Sequence, residues 1–198
     1  MAQVEFFFDV ISPYSYLAYY ELQKIAARQQ AEIVWRPVLL GALFKATGNS
    51  SPIEIPAKRR HALSDLKRWA AHYQIPFQMN KAFPFNSLHL MRGAVGMQMK
   101  GNAELLRYLD VVFKAMFGDP RNLNDPAELA KTLDESGIDS RMVMGLIEDE
   151  SVKARLKANT EEAVARGLFG LPTFFVGQDM YWGQDRLLFV EEALKQNR

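Results

Sequence analysis

The apolar positions of this chain alternate between strand and helix spacing. Residues 3–9, Gln-Val-Glu-Phe-Phe-Phe-Asp, form a short aromatic and β-branched run with Pro13 close behind, which predicts a strand. Ser12-Pro13 then supplies a helix start, with a side-chain oxygen at the cap and a ring already set for the first turn. Leu17, Tyr20, Leu22 and Ile25 carry that helix to about Arg28. From Ala31 to Leu39, Ile33, Trp35 and Pro37 alternate with Val34, Arg36 and Val38, a second strand. Strand, helix and strand at this spacing imply a right-handed crossover and parallel pairing.

Residues 52–166 contain no strand pattern and read as successive helices. The first covers about 57–74 and stops at Ile75-Pro76, and others cover about 87–100 and 103–117, the latter closed by Gly118-Asp119-Pro120. Asp125-Pro126-Ala127-Glu128 opens another through a capping-box arrangement, ended by Gly137, and two more occupy about 139–147 and 150–166. Strand character returns at 172–176, followed by a turn at 177–179, a facing strand at 180–182 and a closing helix at 185–196. The order is βαβ, a block of helices, then ββα. That is the arrangement of an α/β thioredoxin-like domain, here residues 1–48 and 167–198, holding an all-α insertion at 49–166.

Composition narrows the chemistry. Of 198 residues, 48% are apolar and 24% charged, enough for a substantial core without covalent staples. Lys+Arg 24 against Asp+Glu 23 leaves no broad basic field, which argues against a nucleic-acid partner. Glu5 and Asp9 interrupt the N-terminal apolar run, and no stretch reaches the ~18–20 uncharged residues of a membrane span. The chain is therefore expected in the cytoplasm, without membrane partners. His61 and His72 stand ~16 Å apart along one predicted helix, so no metal site is expected there. Cys 0 excludes disulfides, thiolate zinc sites, iron–sulfur clusters and any protein-borne thiol chemistry.

Two short motifs draw attention. Ser12-Pro13-Tyr14-Ser15 lies where the first strand meets the first helix, the place where thioredoxin-type proteins carry Cys-x-x-Cys, with hydroxyls at both ends here. A helix N-terminus offers free N–H groups and about half a positive charge, so it stabilises an anion. Ser12 is either a plain cap or a hydroxyl aimed at a ligand's thiolate. Gly170-Leu171-Pro172-Thr173 opens the returning strand, and a cis bond before Pro172 would expose the Leu171 backbone for pairing with a peptide-like ligand. The bare alternative is an ordinary trans proline.

Together, the segments Phe8–Leu17, Thr47-Gly48-Asn49, Gly170-Leu171-Pro172-Thr173 and Trp182-Gly183-Gln184-Asp185-Arg186 resemble one family, over essentially the whole chain. It is that of 2-hydroxychromene-2-carboxylate isomerase and the kappa-class glutathione transferases, with a DsbA-like thioredoxin fold. The resemblance implies that Ser12 is the catalytic serine facing the sulfur of bound glutathione. It implies that Leu171, before Pro172, pairs with the cysteinyl unit, that Gln184 and Asp185 hold the γ-glutamyl end, and that Asn49 and Lys58 line the other end. Asp65 aligns with a family acid. Lys45, Phe85 and Asn86 fall at the second-substrate site. Three positions depart from the pattern: His61 and Phe85 stand where relatives have tyrosine, and Lys45 is displaced by one.

The implied activity is a glutathione-dependent cis–trans isomerisation of an aromatic catabolite, in a homodimer. A kappa-like transferase or peroxidase is the alternative within enzymes, and a redox-inactive binding module the alternative outside them. The basic stretch Lys58-Arg59-Arg60 with Lys67-Arg68 is either a solvated helix face or an attractor for anionic ligands.

Overall fold

Three consecutive phenylalanines decide how the first strand is used. In the computed structural model, which describes residues 2–83 and 85–197, β1 (Gln3–Phe8) sends Phe6 and Phe8 to one face and Phe7 to the other. All three are fully buried, so both faces of this strand must be covered, and it lies inside the sheet. Burying each ring contributes roughly 2–3 kcal/mol.

α1 (Pro13–Gln29) follows, and β2 (Glu32–Pro37) returns parallel to β1 with Phe6 opposite Trp35. Next come α2 (Leu40–Thr47), α3 (Pro56–Tyr73), α4 (Leu88–Lys100), α5 (Asn102–Phe113), α6 (Pro126–Glu135), α7 (Ser140–Glu148) and α8 (Glu150–Ala165). β3 (Thr173–Val176) is antiparallel to β1, β4 (Asp179–Trp182) is antiparallel to β3, and α9 (Leu187–Gln196) closes the chain. The sheet order is β2-β1-β3-β4. The βαβ, helices, ββα succession expected from the sequence is the one observed.

The first sheet face, where Phe6 stacks on Phe174 at 5.3 Å, packs with α1 and α9. Its hydrophobic cluster continues through Phe113 to Leu109 and Val143, so sheet and intervening helices share buried surface. The second face is smaller. There Phe7 and Phe175 meet Leu43 of α2, Ala163 of α8, Leu168 and Leu171. Arg166 lies 4.0 Å above the Phe175 ring and grips Glu5 through two hydrogen bonds of 2.7 and 2.9 Å.

Two local expectations need correction. The first strand stops at Phe8 and leaves Asp9 outside it, where its carboxylate accepts from the backbone N–H groups of Ile11 and Leu40. Residues 40–47, to which the sequence pattern assigns no element, form α2, whose cap position Leu39 has no side-chain oxygen to announce a start. In addition, the helix expected over 103–117 closes as a π-turn, Lys114–Gly118. Among the described residues, no helix is long and apolar enough to cross a membrane.

Candidate active site

Ser12 is the N-cap of α1 in extended conformation, φ −84° and ψ 115°, and its Oγ accepts a hydrogen bond from the Ser15 N–H at 3.1 Å. Pro13 has no N–H to satisfy, and the Tyr16 N–H donates to the Ser12 carbonyl. Tyr14 N–H is thereby left without a partner among the described residues. The plain capping role is real, yet it uses only one capability of the hydroxyl. Ser12 also donates to the Leu171 carbonyl at 3.4 Å, across 159 residues of chain.

The Leu171–Pro172 peptide is cis. Pro172 accepts a hydrogen bond from Gly183 N–H at 2.9 Å, and Thr173 Oγ1 donates to Gly170 at 2.7 Å, so the turn before β3 is braced on both sides. The Leu171 N–H has no partner among the described residues. Trp182 leans over the same turn: a Cβ at Gly170 would lie 2.6 Å from its Nε1, and Phe169 packs on its ring at 4.9 Å. The indole is about half exposed and forms a rim beside Ser12's partner strand.

A second cluster forms at the other side of α1. The Tyr14 hydroxyl is pushed up to about 12 by burial, then by the carboxylates of Asp65 on α3 and Asp185 in the turn after β4. Two acids from distant segments therefore place their negative field on one tyrosine in the first turn of α1. Gln184 is buried, and its carbonyl accepts from the Tyr73 hydroxyl at 3.1 Å, which anchors this turn to α3. Asp185 pairs with Arg186 at 2.6 Å.

The expected site residues are not all gathered equally. Ser12, Leu171 and Pro172 are brought into contact. Asn49 is tied to them indirectly, its Nδ2 donating to the Phe169 carbonyl at 2.7 Å. Gln184 is held at the end of α3 by Tyr73, and the charge of Asp185 acts on Tyr14 at the start of α1. Lys58 and Lys45 are exposed on α3 and α2 and make no ion pair among the described residues. Phe85 is buried against Phe83, while Asn86 is exposed with its N–H on Asn124. His61 and His72 are both exposed, and no group of three metal-ligating side chains occurs among the described residues.

Ser15 belongs to the motif legible in the sequence, whereas a role for Asp9 escaped it. Ser15 Oγ, the second hydroxyl of the motif, is buried without a hydrogen-bond partner among the described residues. Asp9, three residues before Ser12, is fully buried. Its Oδ1 accepts from Ile11 N–H at 3.0 Å, and its Oδ2 accepts from Leu40 N–H at 2.9 Å and Ser87 Oγ at 2.8 Å. Burial raises its pKa to about 6 against the opposing effect of these hydrogen bonds. An acid ending an aromatic strand directly before the hydroxyl motif was the available signal.

The arrangement offers the Ser12 hydroxyl and the Leu171 backbone side by side at the start of α1, with the charges of Asp65 and Asp185 acting on Tyr14.

Comparison with known proteins gives the family and the fold. A family model described as DSBA-like thioredoxin domain matches residues 3–195. The chain is 34% identical over 197 residues to a 2-hydroxychromene-2-carboxylate isomerase of Pseudomonas sp. (strain C18), covering 96% of this chain and 89% of that one. It is 29% identical over 202 residues to glutathione S-transferase kappa 1 of Homo sapiens, covering 97% and 87% respectively. A solved structure of a 2-hydroxychromene-2-carboxylate isomerase superposes with a TM-score of 0.87 at 30% identity, over 98% of this chain and 95% of that chain.

Proposed function

We propose, from the premise that this chain belongs to the DSBA-like thioredoxin domain family and to its group of 2-hydroxychromene-2-carboxylate isomerases and kappa-class glutathione transferases, that it is a glutathione-dependent isomerase. Its reaction is the interconversion of 2-hydroxychromene-2-carboxylate and trans-o-hydroxybenzylidenepyruvate, a step of aromatic-compound breakdown. One observation carries the reading: a hydroxyl, in a chain without cysteine, caps the helix end beside the Leu171 backbone.

Glutathione, when bound, supplies the thiolate that adds to a conjugated carbon of the substrate and is released after the bond has rotated. Ser12 donates its hydroxyl hydrogen to that sulfur in place of the Leu171 carbonyl, and the Tyr14 N–H adds the field of the helix end. Leu171 N–H and C=O orient the cysteinyl unit. Asp185, with Asp65, receives the γ-glutamyl ammonium, while Gln184 borders the same end. Asn49 and Lys58 lie toward the opposite carboxylate. Lys45, Phe85 and Asn86 border the aromatic substrate, with Phe85 offering an apolar ring and no hydroxyl. All of this is preorganised electrostatics and positioning.

The similarity to kappa 1 supports a second reading, a transferase or peroxidase that consumes glutathione. Incubation with glutathione and 2-hydroxychromene-2-carboxylate separates the two: an isomerase forms the ring-opened isomer while titratable thiol stays constant, and a transferase depletes thiol. Calorimetry showing no glutathione binding at millimolar concentration would leave only a peptide-binding module. The protein acts in the cytoplasm, where glutathione is kept reduced. It pairs as a homodimer; exposed Met180, Trp182, Leu188 and Phe189 support an apolar face for a second copy.

A further inference from the structure

Asp9 sits where three segments of the candidate site meet. Its carboxylate accepts one hydrogen bond from each: Ile11 in the loop leading to Ser12, Leu40 at the first position of α2, and Ser87 at the cap position of α4. Each partner adjoins expected site residues in the chain. Ile11 precedes Ser12, α2 carries Lys45 and leads to Asn49, and Ser87 follows Phe85 and Asn86. Leu39, the cap position of α2, offers no side-chain bond, so Asp9 caps that helix from 31 residues away.

We propose that Asp9 is a positioning residue of this active site: its ionised carboxylate holds the Ser12 loop, the start of α2 and the start of α4 in one register, and activity falls when it takes a proton. The proposal rests on the reading that Ser12 serves a bound thiol. A carboxylate is acceptor-only and suits three donors at once. The neutral acid must present one O–H toward N–H and O–H groups, so at least one contact is lost or reversed.

The surroundings make that protonation accessible near neutral pH. Burial lifts the group to about 6, opposed by its own three hydrogen bonds, and no ionised neighbour contributes. On the elements packed around it, Lys45 of α2 and His89 of α4 are exposed and Arg92 of α4 is half-buried. No charged residue lies in the first turn of α1. A buried carboxylate with no cation beside it disfavours folding, which a purely structural hydrogen-bond hub would not require.

The test is the pH dependence of kcat/KM for isomerisation in the wild type, Asp9→Asn and Ser87→Ala, with glutathione binding followed by calorimetry. The wild-type rate is expected to fall about tenfold per pH unit below about 6. Ser87→Ala removes a hydrogen bond to the ionised form and moves this acid limb to higher pH. Asp9→Asn abolishes the limb and lowers the rate at pH 8 by about tenfold or more, while glutathione still binds. An unchanged limb in Ser87→Ala, or a wild-type limb in Asp9→Asn, overturns the proposal. If Asp9→Asn does not fold, the Ser87→Ala profile decides alone. Absence of glutathione binding or isomerisation in the wild type overturns the functional reading instead.

Discussion

The Ser12 hydroxyl donates to the Leu171 carbonyl at 3.4 Å, joining the first helix to the strand that returns after the helical insertion. The contact is long for a hydroxyl donor, so little is lost when a better acceptor displaces it. A thiolate beside Ser12 would take the hydroxyl hydrogen and leave the Leu171 backbone free to pair with the peptide unit that carries the sulfur.

Ser12→Ala removes both the cap and the donor to sulfur. The cap alone costs about 1 kcal/mol of stability. Loss of one donor to a developing or bound anion lowers kcat by about 10²-fold. Ultraviolet titration of the bound thiol should show its acidity returning toward the free value of ~8.5. An unchanged rate with an unmoved thiol titration would contradict the role given to Ser12.

Asp185→Asn and Asp65→Asn remove the two charges that flank Tyr14. Each should raise the dissociation constant for glutathione by about ten- to a hundredfold, the scale of a charge-assisted hydrogen bond. The maximal rate should change little, because neither acid is beside the reacting sulfur. Calorimetry of both variants checks this, and equal binding in both would remove the γ-glutamyl assignment. The Tyr14 hydroxyl should titrate below about 12 in either variant, yet stay above its ordinary value because burial is the larger cause.

Asp9 also predicts how stability varies with pH. Its folded value of about 6 lies above the ordinary 3.8, so between these limits the folded chain binds more protons than the unfolded one. Stability therefore falls as pH rises through that window, by roughly 3 kcal/mol in total, and this contribution is flat above it. Asp9→Asn should melt at the same or a higher temperature than wild type at pH 7.5, with the difference shrinking toward pH 4. A variant that melts well below wild type at pH 7.5 would show that the carboxylate is needed for folding.

Gly183 holds φ +101°, and a Cβ there would lie 2.5 Å from Asp185 Oδ1. Gly183→Ala should destabilise by about 1–3 kcal/mol from the backbone alone. It should also weaken glutathione binding by displacing Asp185, while the Ser12 end stays intact. Thermal melting with calorimetry distinguishes the two effects.

Much of this fold is legible along the chain because its signals are local. The aromatic run of β1, the Ser12-Pro13 start of α1, the Asp125-Pro126 start of α6 and the Gly137 stop each act within a few residues. α2 was not legible, since its capping oxygen belongs to Asp9 in another segment. The electrostatic effect of Asp65 and Asp185 on Tyr14 was equally hidden, since it links α1, α3 and the turn after β4. Phe85 is recognisable as a departure from a family pattern, but only packing shows its ring buried against Phe83.

By itself, the sequence determined the order of elements, the hydroxyls at Ser12 and Ser15 where a dithiol would stand, and the absence of any sulfur nucleophile. Those follow from residue types and short spacings. The tertiary structure decided that Ser12 meets Leu171, that two acids converge on Tyr14, and that Asp9 is buried at a three-way junction. Those depend on desolvation and on contacts between residues far apart in the chain, quantities that no window of sequence contains.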